Sequence, residues 1–103
     1  MTKKELIEYL RELKQELLED GFIIEGVFGS YARDEANESS DIDILYSINS
    51  DFLNKYSGFI AFKKLSDIKK YLSKKLKKDI DLAPKNNLSK SAKKYILKEV
   101  IYV

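Results

Sequence analysis

The sequence contains no cysteine and no histidine among its 103 residues, and it has only one proline and four glycines. The absence of cysteine excludes disulfides, thiolate nucleophiles, thiolate zinc sites and iron–sulfur clusters. The absence of histidine excludes catalytic triads that depend on histidine, the HExxH zinc site and an imidazole general base. Any catalysis by this chain must therefore use carboxylates, hydroxyls, lysine, arginine and hard metal ions.

Long hydrophobic runs are also absent. No stretch approaches the roughly 20 apolar residues that are needed to span a bilayer, and the first ten residues lack the apolar core of a secretory leader. We therefore expect a cytoplasmic protein with no membrane contact. With 44% hydrophobic and 35% charged residues, the composition indicates one globular domain over residues 1–103.

The net charge of +2 hides a strong asymmetry between the two halves of the chain. Residues 1–52 carry 13 acidic and five basic residues, a net charge of −8, and residues 53–103 carry four acidic and 14 basic residues, a net charge of +10. Such a basic half suggests an acidic partner or a polyanionic ligand, although a solvated lysine-rich helix face would have the same composition. No aromatic or glycine-rich interleaving marks an RNA-binding module, so nucleic acid is not expected as a direct partner.

Hydrophobic spacing along the chain predicts four helices and three strands in the order α-β-α-β-α-β-α. Apolar residues recur every three or four positions in the helical segments and alternate with polar residues in the strands. The predicted elements are helices over 3–19, 30–36, 63–76 and 88–101 and strands over 22–28 (interrupted at Glu25-Gly26), 41–47 and 79–83. Residues 48–57 are expected to form a loop, and the inward positions of the last helix are expected to be Ala92, Tyr95, Ile96 and Val100. This order indicates one α/β domain with a small sheet.

A phosphate-binding turn is indicated at Gly29-Ser30, where the first strand ends. Glycine has no Cβ, so the backbone can approach a phosphate closely. The hydroxyl of Ser30 adds a donor, and a helix that begins there would direct backbone N–H groups at an anion. Because an isolated Gly-Ser is most often only a turn, the interpretation depends on the residues of the next strand.

Two acidic residues lie on that strand, after ten intervening residues. Asp41 and Asp43 are two positions apart, so both side chains leave one face of the strand and repel each other unless a cation lies between them. Mg²⁺ prefers oxygen ligands and takes one or two carboxylates together with substrate phosphates. A phosphate-binding turn beside such a pair is the layout for metal-assisted phosphoryl or nucleotidyl transfer. Asp79 and Asp81 offer a third carboxylate on the last strand, unless they simply face solvent there.

The combined pattern resembles the minimal nucleotidyltransferases of the DNA polymerase β-like superfamily. The matches are Gly29, Ser30, Asp41 and Asp43 for the signature GSx10DxD, Tyr31-Ala32-Arg33 for its continuation, and Ile80-Asp81-Leu82 for the later strand that carries the third metal carboxylate. Asp34 stands where many members have glycine. The resemblance covers the chain from about Phe22 to Val103 and assigns the third carboxylate to Asp81 rather than Asp79.

The resemblance implies the fold and the roles of the carboxylates. The fold would be an α/β (α+β) single domain of the polymerase β-like type, with a small mixed β-sheet flanked by helices and a cleft for ATP and Mg²⁺. Asp41 and Asp43 would hold two Mg²⁺ ions, and Asp81 would hold the catalytic one. Asp81 would also accept the proton of the attacking hydroxyl.

The resemblance also implies how the nucleotide would be bound. Gly29 and Ser30 would hold the β- and γ-phosphates so that pyrophosphate leaves in line. Arg33 would either neutralise phosphate charge or pair with an acid such as Glu35 or Glu38.

The resemblance further implies a protein partner. Stand-alone members of this size are often antitoxins that transfer AMP from ATP to a tyrosine hydroxyl of a helical HEPN-type toxin, so we expect a hetero-oligomer. Tyr95, Ile101 and Tyr102 are candidates for the centre of that interface, unless they pack the last helix onto the sheet. Two alternatives stay open: a catalytically silent binding module that neutralises its partner by contact, and a small-molecule nucleotidyltransferase, which usually needs an added substrate domain.

Overall fold

The computed structural model describes every residue from Met1 to Val103 and contains four α-helices, one short 3-10 turn and four strands. The elements in chain order are α1 Lys3–Leu18, β1 Phe22–Phe28, β2 Ile42–Ile48, α2 Ser50–Lys55, α3 Phe59–Leu76, β3 Ile80–Pro84, the 3-10 turn Lys85–Asn87, α4 Lys90–Glu99 and β4 Ile101–Tyr102. None of the helices is both long enough and apolar enough to cross a membrane.

Helix α1 forms as predicted because its N-terminus is capped and one of its faces is apolar. The Thr2 hydroxyl accepts the N–H of Glu5 and the Glu5 carboxylate accepts the N–H of Thr2, both at 3.1 Å, which satisfies two N-terminal donors. The leucines at helical spacing are all buried, namely Leu6, Leu10, Leu13 and Leu17. Gly21, with a φ of +79°, ends the helix and turns the chain into β1.

The four strands form one mixed sheet in the order β3-β2-β1-β4. Strand β1 runs antiparallel to β2 and β4, whereas β2 and β3 are parallel. One face of the sheet packs with the apolar faces of α1 and α3 into a single buried cluster that includes Ile42, Ile44 and Ile80. Asp43 and Asp81 alternate with these residues and therefore lie on the opposite face. The predicted mixed sheet flanked by helices is confirmed.

Strand β1 is continuous, so the predicted interruption at Glu25-Gly26 is wrong. Its register against β2 shifts between Ile24 and Gly26, which is a β-bulge that accommodates one extra residue without ending the strand. The backbone of β4 approaches Gly26 so closely that a Cβ there would overlap the carbonyl of Ile101. This glycine marks the close approach of a neighbouring strand rather than a break.

Residues 30–36, predicted as a short helix, form a series of turns instead. The N–H of Glu35 reaches back to the carbonyl of Ser30 at 2.8 Å, so an α-helical bonding pattern does not propagate. Asp34 has a φ of +59°, the left-handed conformation that glycine adopts most easily. Its carboxylate is 3.2 Å from the ammonium group of Lys3. This conformation is compatible with the glycine that the resemblance leads us to expect at this position.

The predicted loop over 48–57 is also wrong in part, because α2 occupies Ser50–Lys55. The side chain of Asn49 accepts the N–H of Phe52 at 3.2 Å, which caps the helix. Phe52 is fully buried and fixes the helix to the core. A capping asparagine three residues before one buried aromatic residue is too short a pattern to show helical periodicity.

The last predicted helix, over 88–101, is shorter than expected and is followed by a strand. It ends at Glu99, and Ile101 then pairs with β1. Ile96 is buried as predicted, but Tyr95 is 75% exposed, so its predicted inward position is wrong. The two residues of β4 carry no strand periodicity of their own and depend on the partner strand.

Candidate active site

The Gly29-Ser30 turn lies directly against a carboxylate of β2. It follows Phe28, the last residue of β1, which is paired with Asp43. Gly29 has a φ of +73°, and a Cβ built on it would overlap the Asp43 carboxylate. Only glycine therefore lets the turn and Asp43 occupy these positions together.

Ser30 is half-buried in this turn, but it does not begin a helix. The backbone anion site that a helix N-terminus would have supplied is therefore missing. Two features of the predicted phosphate-binding turn remain, the close backbone approach at Gly29 and the hydroxyl of Ser30.

Asp43 and Asp81 are neighbours across the parallel strands β2 and β3, where their Cα positions are in register. The pKa of Asp43 is raised from 3.8 to about 6, first by burial and then by the neighbouring Asp81 and Asp41 carboxylates, while Arg33 acts to lower it. Carboxylates that lie side by side on neighbouring strands oppose each other's ionisation. The charges of Asp41 and Asp81, the other two acids proposed from the sequence, therefore act on Asp43.

Asp41 and Asp79 lie immediately before β2 and β3, one position ahead of the paired residues Ile42 and Ile80, and both are exposed. Together with Asp81 they line one wall of a groove with a volume of about 500 Å³. The opposite wall is the polar side of α3, with Ser66, Lys69, Lys70 and Ser73. This volume is within the range of about 300–1,000 Å³ that is usual for small-molecule sites.

The acidic residues suit a hard divalent cation, although they do not by themselves form a complete metal-binding site. No three acidic side chains are arranged so that they alone could hold a metal ion. Mg²⁺ ordinarily uses one or two protein carboxylates and completes its coordination with water and substrate phosphates. The carboxylates of Asp43 and Asp81 supply such oxygens, and a cation beside them would relieve the repulsion that raises the pKa of Asp43. The residues present therefore fit a magnesium ion.

Arg33, at the end of the Gly29 turn, forms ion pairs with two glutamates. Its Nε donates to Glu35 at 3.1 Å and its Nη1 donates to Glu99 at 2.9 Å. The predicted pairing with Glu35 is confirmed, whereas Glu38 is not a partner. The Glu99 carboxylate also accepts the N–H of Gly29 at 2.9 Å. No motif in the sequence predicts Glu99, which lies 66 residues beyond Arg33.

We expect Asp43→Asn to raise the free energy of unfolding of the metal-free protein at pH 7.5 by about 1–2 kcal/mol, a figure reduced from the full pKa shift because Asp43 is partly exposed. Since folding raises the Asp43 pKa from 3.8 to about 6, the native state binds more protons between these values, and wild-type stability falls as the pH rises through them. The advantage of the variant should therefore appear between pH 4 and 6 and level off above.

Urea unfolding in EDTA across this pH range measures the difference. Asp79→Asn is the matched control, because it removes an exposed carboxylate of the same sheet edge. A stability gain for Asp43→Asn that is the same at pH 4 and pH 7.5 would contradict the electrostatic origin of the effect.

Known proteins are similar to this chain in sequence. The family model of the nucleotidyltransferase domain matches residues 3–103. The chain is 38% identical over 104 residues to a Methanocaldococcus jannaschii protein provisionally named a protein adenylyltransferase, with 99% of this chain and 98% of that protein covered. It is 36% identical over 104 residues to the protein adenylyltransferase MntA of Thermococcus cleftensis, with 100% of this chain and 97% of that protein covered.

A solved structure shows the same fold. It is described provisionally as a minimal nucleotidyltransferase, and it matches with a TM-score of 0.73 at 24% identity, covering 100% of this chain and 97% of that chain. The Gly29 turn and the adjacent Asp43 are thus set in a fold that this solved structure shares. The chain belongs to the nucleotidyltransferase domain family and is a nucleotidyltransferase.

Proposed function

We propose that this chain transfers AMP from ATP to a tyrosine hydroxyl of a partner protein in the cytoplasm, and that it acts as an antitoxin toward a HEPN-type toxin. The proposal rests above all on the Asp43–Asp81 pair, in register across β2 and β3 and directly beside the Gly29 turn. The names of the two relatives, both protein adenylyltransferases, support a protein acceptor.

In this proposal Asp41 and Asp43 would hold both of two Mg²⁺ ions. Asp81 would be a further ligand of one of these two, the catalytic ion. When bound, the ions neutralise the triphosphate and polarise the phosphate that is transferred. The attacking hydroxyl oxygen forms a bond to the α-phosphorus of ATP, and the bond to pyrophosphate breaks. Asp81 takes the proton of that hydroxyl, a role that its exposed position permits.

The turn would hold the departing pyrophosphate. Gly29 lets the backbone approach the β- and γ-phosphates without a Cβ in the way, and the Ser30 hydroxyl donates to them. Arg33 stands close enough to Asp43 to lower the pKa of that carboxyl, so its positive charge also acts where the phosphates would lie. Its ion pair with Glu99, whose side chain is only 24% exposed, would hold it there, whereas the pair with the 62% exposed Glu35 contributes little.

Binding of ATP should depend strongly on divalent metal. Asp41, Asp43 and Asp81 would otherwise repel a triphosphate, and two unit charges about 4 Å apart interact by about 4 kcal/mol near a protein surface. Calorimetric titration with ATP should give an affinity at least about 100-fold weaker in EDTA than in MgCl₂. Equal affinities in the two buffers would remove the role assigned to the metal ions.

The partner would dock on the basic C-terminal half, around exposed aromatic residues. Tyr95 and Tyr102 are 75% and 52% exposed, so neither is needed to fill the core. Lys93, Lys94 and Lys98 lie on the same helix as Tyr95. Complementary charge would speed the encounter with an acidic helical partner and fix its orientation.

Co-expression with the protein encoded by the adjacent gene tests the proposed acceptor. We expect a stable complex in size-exclusion chromatography, and a partner whose intact mass rises by one adenylyl group per modified tyrosine when ATP and Mg²⁺ are added. A complex whose partner never gains mass would favour neutralisation by contact alone. Absence of both complex and mass change would favour a small-molecule acceptor.

A further inference from the structure

The C-terminal end of α4 is tied to the Gly29 turn by one carboxylate. Glu99, the last residue of α4, uses one oxygen to accept the N–H of Gly29 and the other to accept Nη1–H of Arg33, each at 2.9 Å. Its side chain is only 24% exposed. Hydrogen bonds to an ionised carboxylate are shorter and about twice as strong as neutral ones, so this bridge constrains both ends of the turn.

Glu99 and Asp43 contact the turn at different atoms of Gly29. The Cβ position of Gly29 points at Asp43, whereas its N–H points to Glu99. Glu99 therefore does not occupy the position next to Gly29 that Asp43 fills. The same carboxylate holds Arg33, whose charge reaches Asp43.

Glu99 itself is held firmly. The N–H of Val100 closes α4 by donating to the carbonyl of Ile96 at 2.9 Å, and Ile101 then pairs with Val27 of β1. Strand β1 leads directly into the Gly29 turn, the turn is hydrogen-bonded to Glu99, and the residues after Glu99 pair with β1 again as β4. The turn is therefore connected to β1 both along the chain and through Glu99 and β4. Contacts of this kind can fix the position of the Gly29 turn, which contains no helix or strand of its own.

We propose that Glu99 is a positioning residue that holds Gly29 and Arg33 in the geometry needed to bind the nucleotide phosphates. The inference rests on the proposed nucleotide site, because its effect on the reaction passes through that turn. Glu99 need not touch the nucleotide. Its negative charge acts through Arg33, so the part of its contribution that depends on this charge should vanish once Arg33 is removed.

A double-mutant cycle on ATP affinity tests this dependence. Glu99→Gln keeps an oxygen that can accept the N–H of Gly29 but loses the charge that holds Arg33. In MgCl₂ we expect ATP to bind about three- to tenfold more weakly to this variant than to the wild type. The double variant Arg33→Ala with Glu99→Gln should bind as Arg33→Ala alone does. Glu35→Gln, which removes only the exposed partner of Arg33, is the matched control and should stay within about twofold of the wild type.

Two results of the cycle would overturn the proposal. Independent, additive losses would mean that Glu99 does not act through Arg33. Tighter binding of ATP to Glu99→Gln would mean that the carboxylate competes with phosphate rather than positioning the turn.

Amide hydrogen exchange in the nucleotide-free protein separates this proposal from the proposed function. We expect the Gly29 amide to exchange about tenfold faster in Glu99→Ala than in the wild type, and to be unchanged in Glu35→Ala. If the wild type binds no ATP, the proposed function fails, and faster exchange at Gly29 still supports the tie to α4. If the Gly29 amide exchanges at the same rate in Glu99→Ala as in the wild type, the positioning role of Glu99 is overturned, whether or not the wild type binds ATP.

Discussion

Asp81→Asn is expected to abolish nucleotidyl transfer while leaving the fold intact. Asp81 is exposed and lies in register with Asp43, so the substitution changes no buried packing. It removes both the proposed proton acceptor and a carboxylate of the metal site, and the loss of a general base alone ordinarily costs about 100- to 10,000-fold in rate. The free energy of unfolding should stay equal or rise, because one of two repelling carboxylates becomes neutral.

Asp79→Asn is the matched control for this prediction. Asp79 lies two residues earlier and shares the exposed groove with Asp81. It differs in one respect that decides the choice: the charge of Asp81 raises the pKa of Asp43, whereas Asp79 does not contribute to that shift. We expect transfer by Asp79→Asn to remain within about tenfold of the wild type. If the two variants ranked in the opposite order, Asp79 would be the third carboxylate.

The fold could be predicted where a pattern is long and local. The four leucines of α1 repeat over about three turns, and the alternation of Ile42 and Ile44 with Asp41 and Asp43 marks both the strand and its buried face. Such periodicity follows from the geometry of one element and needs no knowledge of its neighbours. These elements and their buried faces are the ones that the structure confirms.

The elements that could not be predicted depend on contacts between distant parts of the chain. Strand β4 has only two residues and exists because Ile101 pairs with Val27. The turn over 29–34 contains a helical hydrogen bond but is broken by the positive φ of Asp34. Short segments of this kind are set by tertiary pairing and by single backbone conformations, neither of which leaves a periodic signal.

The candidate site divides in the same way. The spacing from Gly29 to Asp43 could be read from the sequence because the two residues end and begin adjacent strands. The contact of Glu99 with the turn could not, since it spans 70 residues to Gly29 and follows from the position of α4. Sequence motifs therefore identify the groups proposed for the chemistry, and the fold supplies the groups that orient them.

Gly29→Ala is expected to eliminate ATP binding at a modest cost in stability. The φ of +73° at this position is strained for any residue with a Cβ, which costs about 1–3 kcal/mol. The new methyl group would also overlap the Asp43 carboxylate. Because that carboxylate is the end of a side chain, it can rotate away rather than unfold the protein. The rotation would take Asp43 out of its pairing with Asp81 and would place the methyl group where phosphate should approach.

Gly58→Ala separates the collision from the backbone strain. Gly58 also has a positive φ, of +57°, but nothing lies within 4 Å of the position that its Cβ would take. Both variants should lose a similar free energy of unfolding in urea titrations, whereas only Gly29→Ala should lose affinity for ATP in MgCl₂, by at least about 100-fold. Wild-type affinity in Gly29→Ala would show that the phosphates do not approach this turn. Equal losses of affinity in the two variants would show that backbone strain, rather than displacement of Asp43, is responsible.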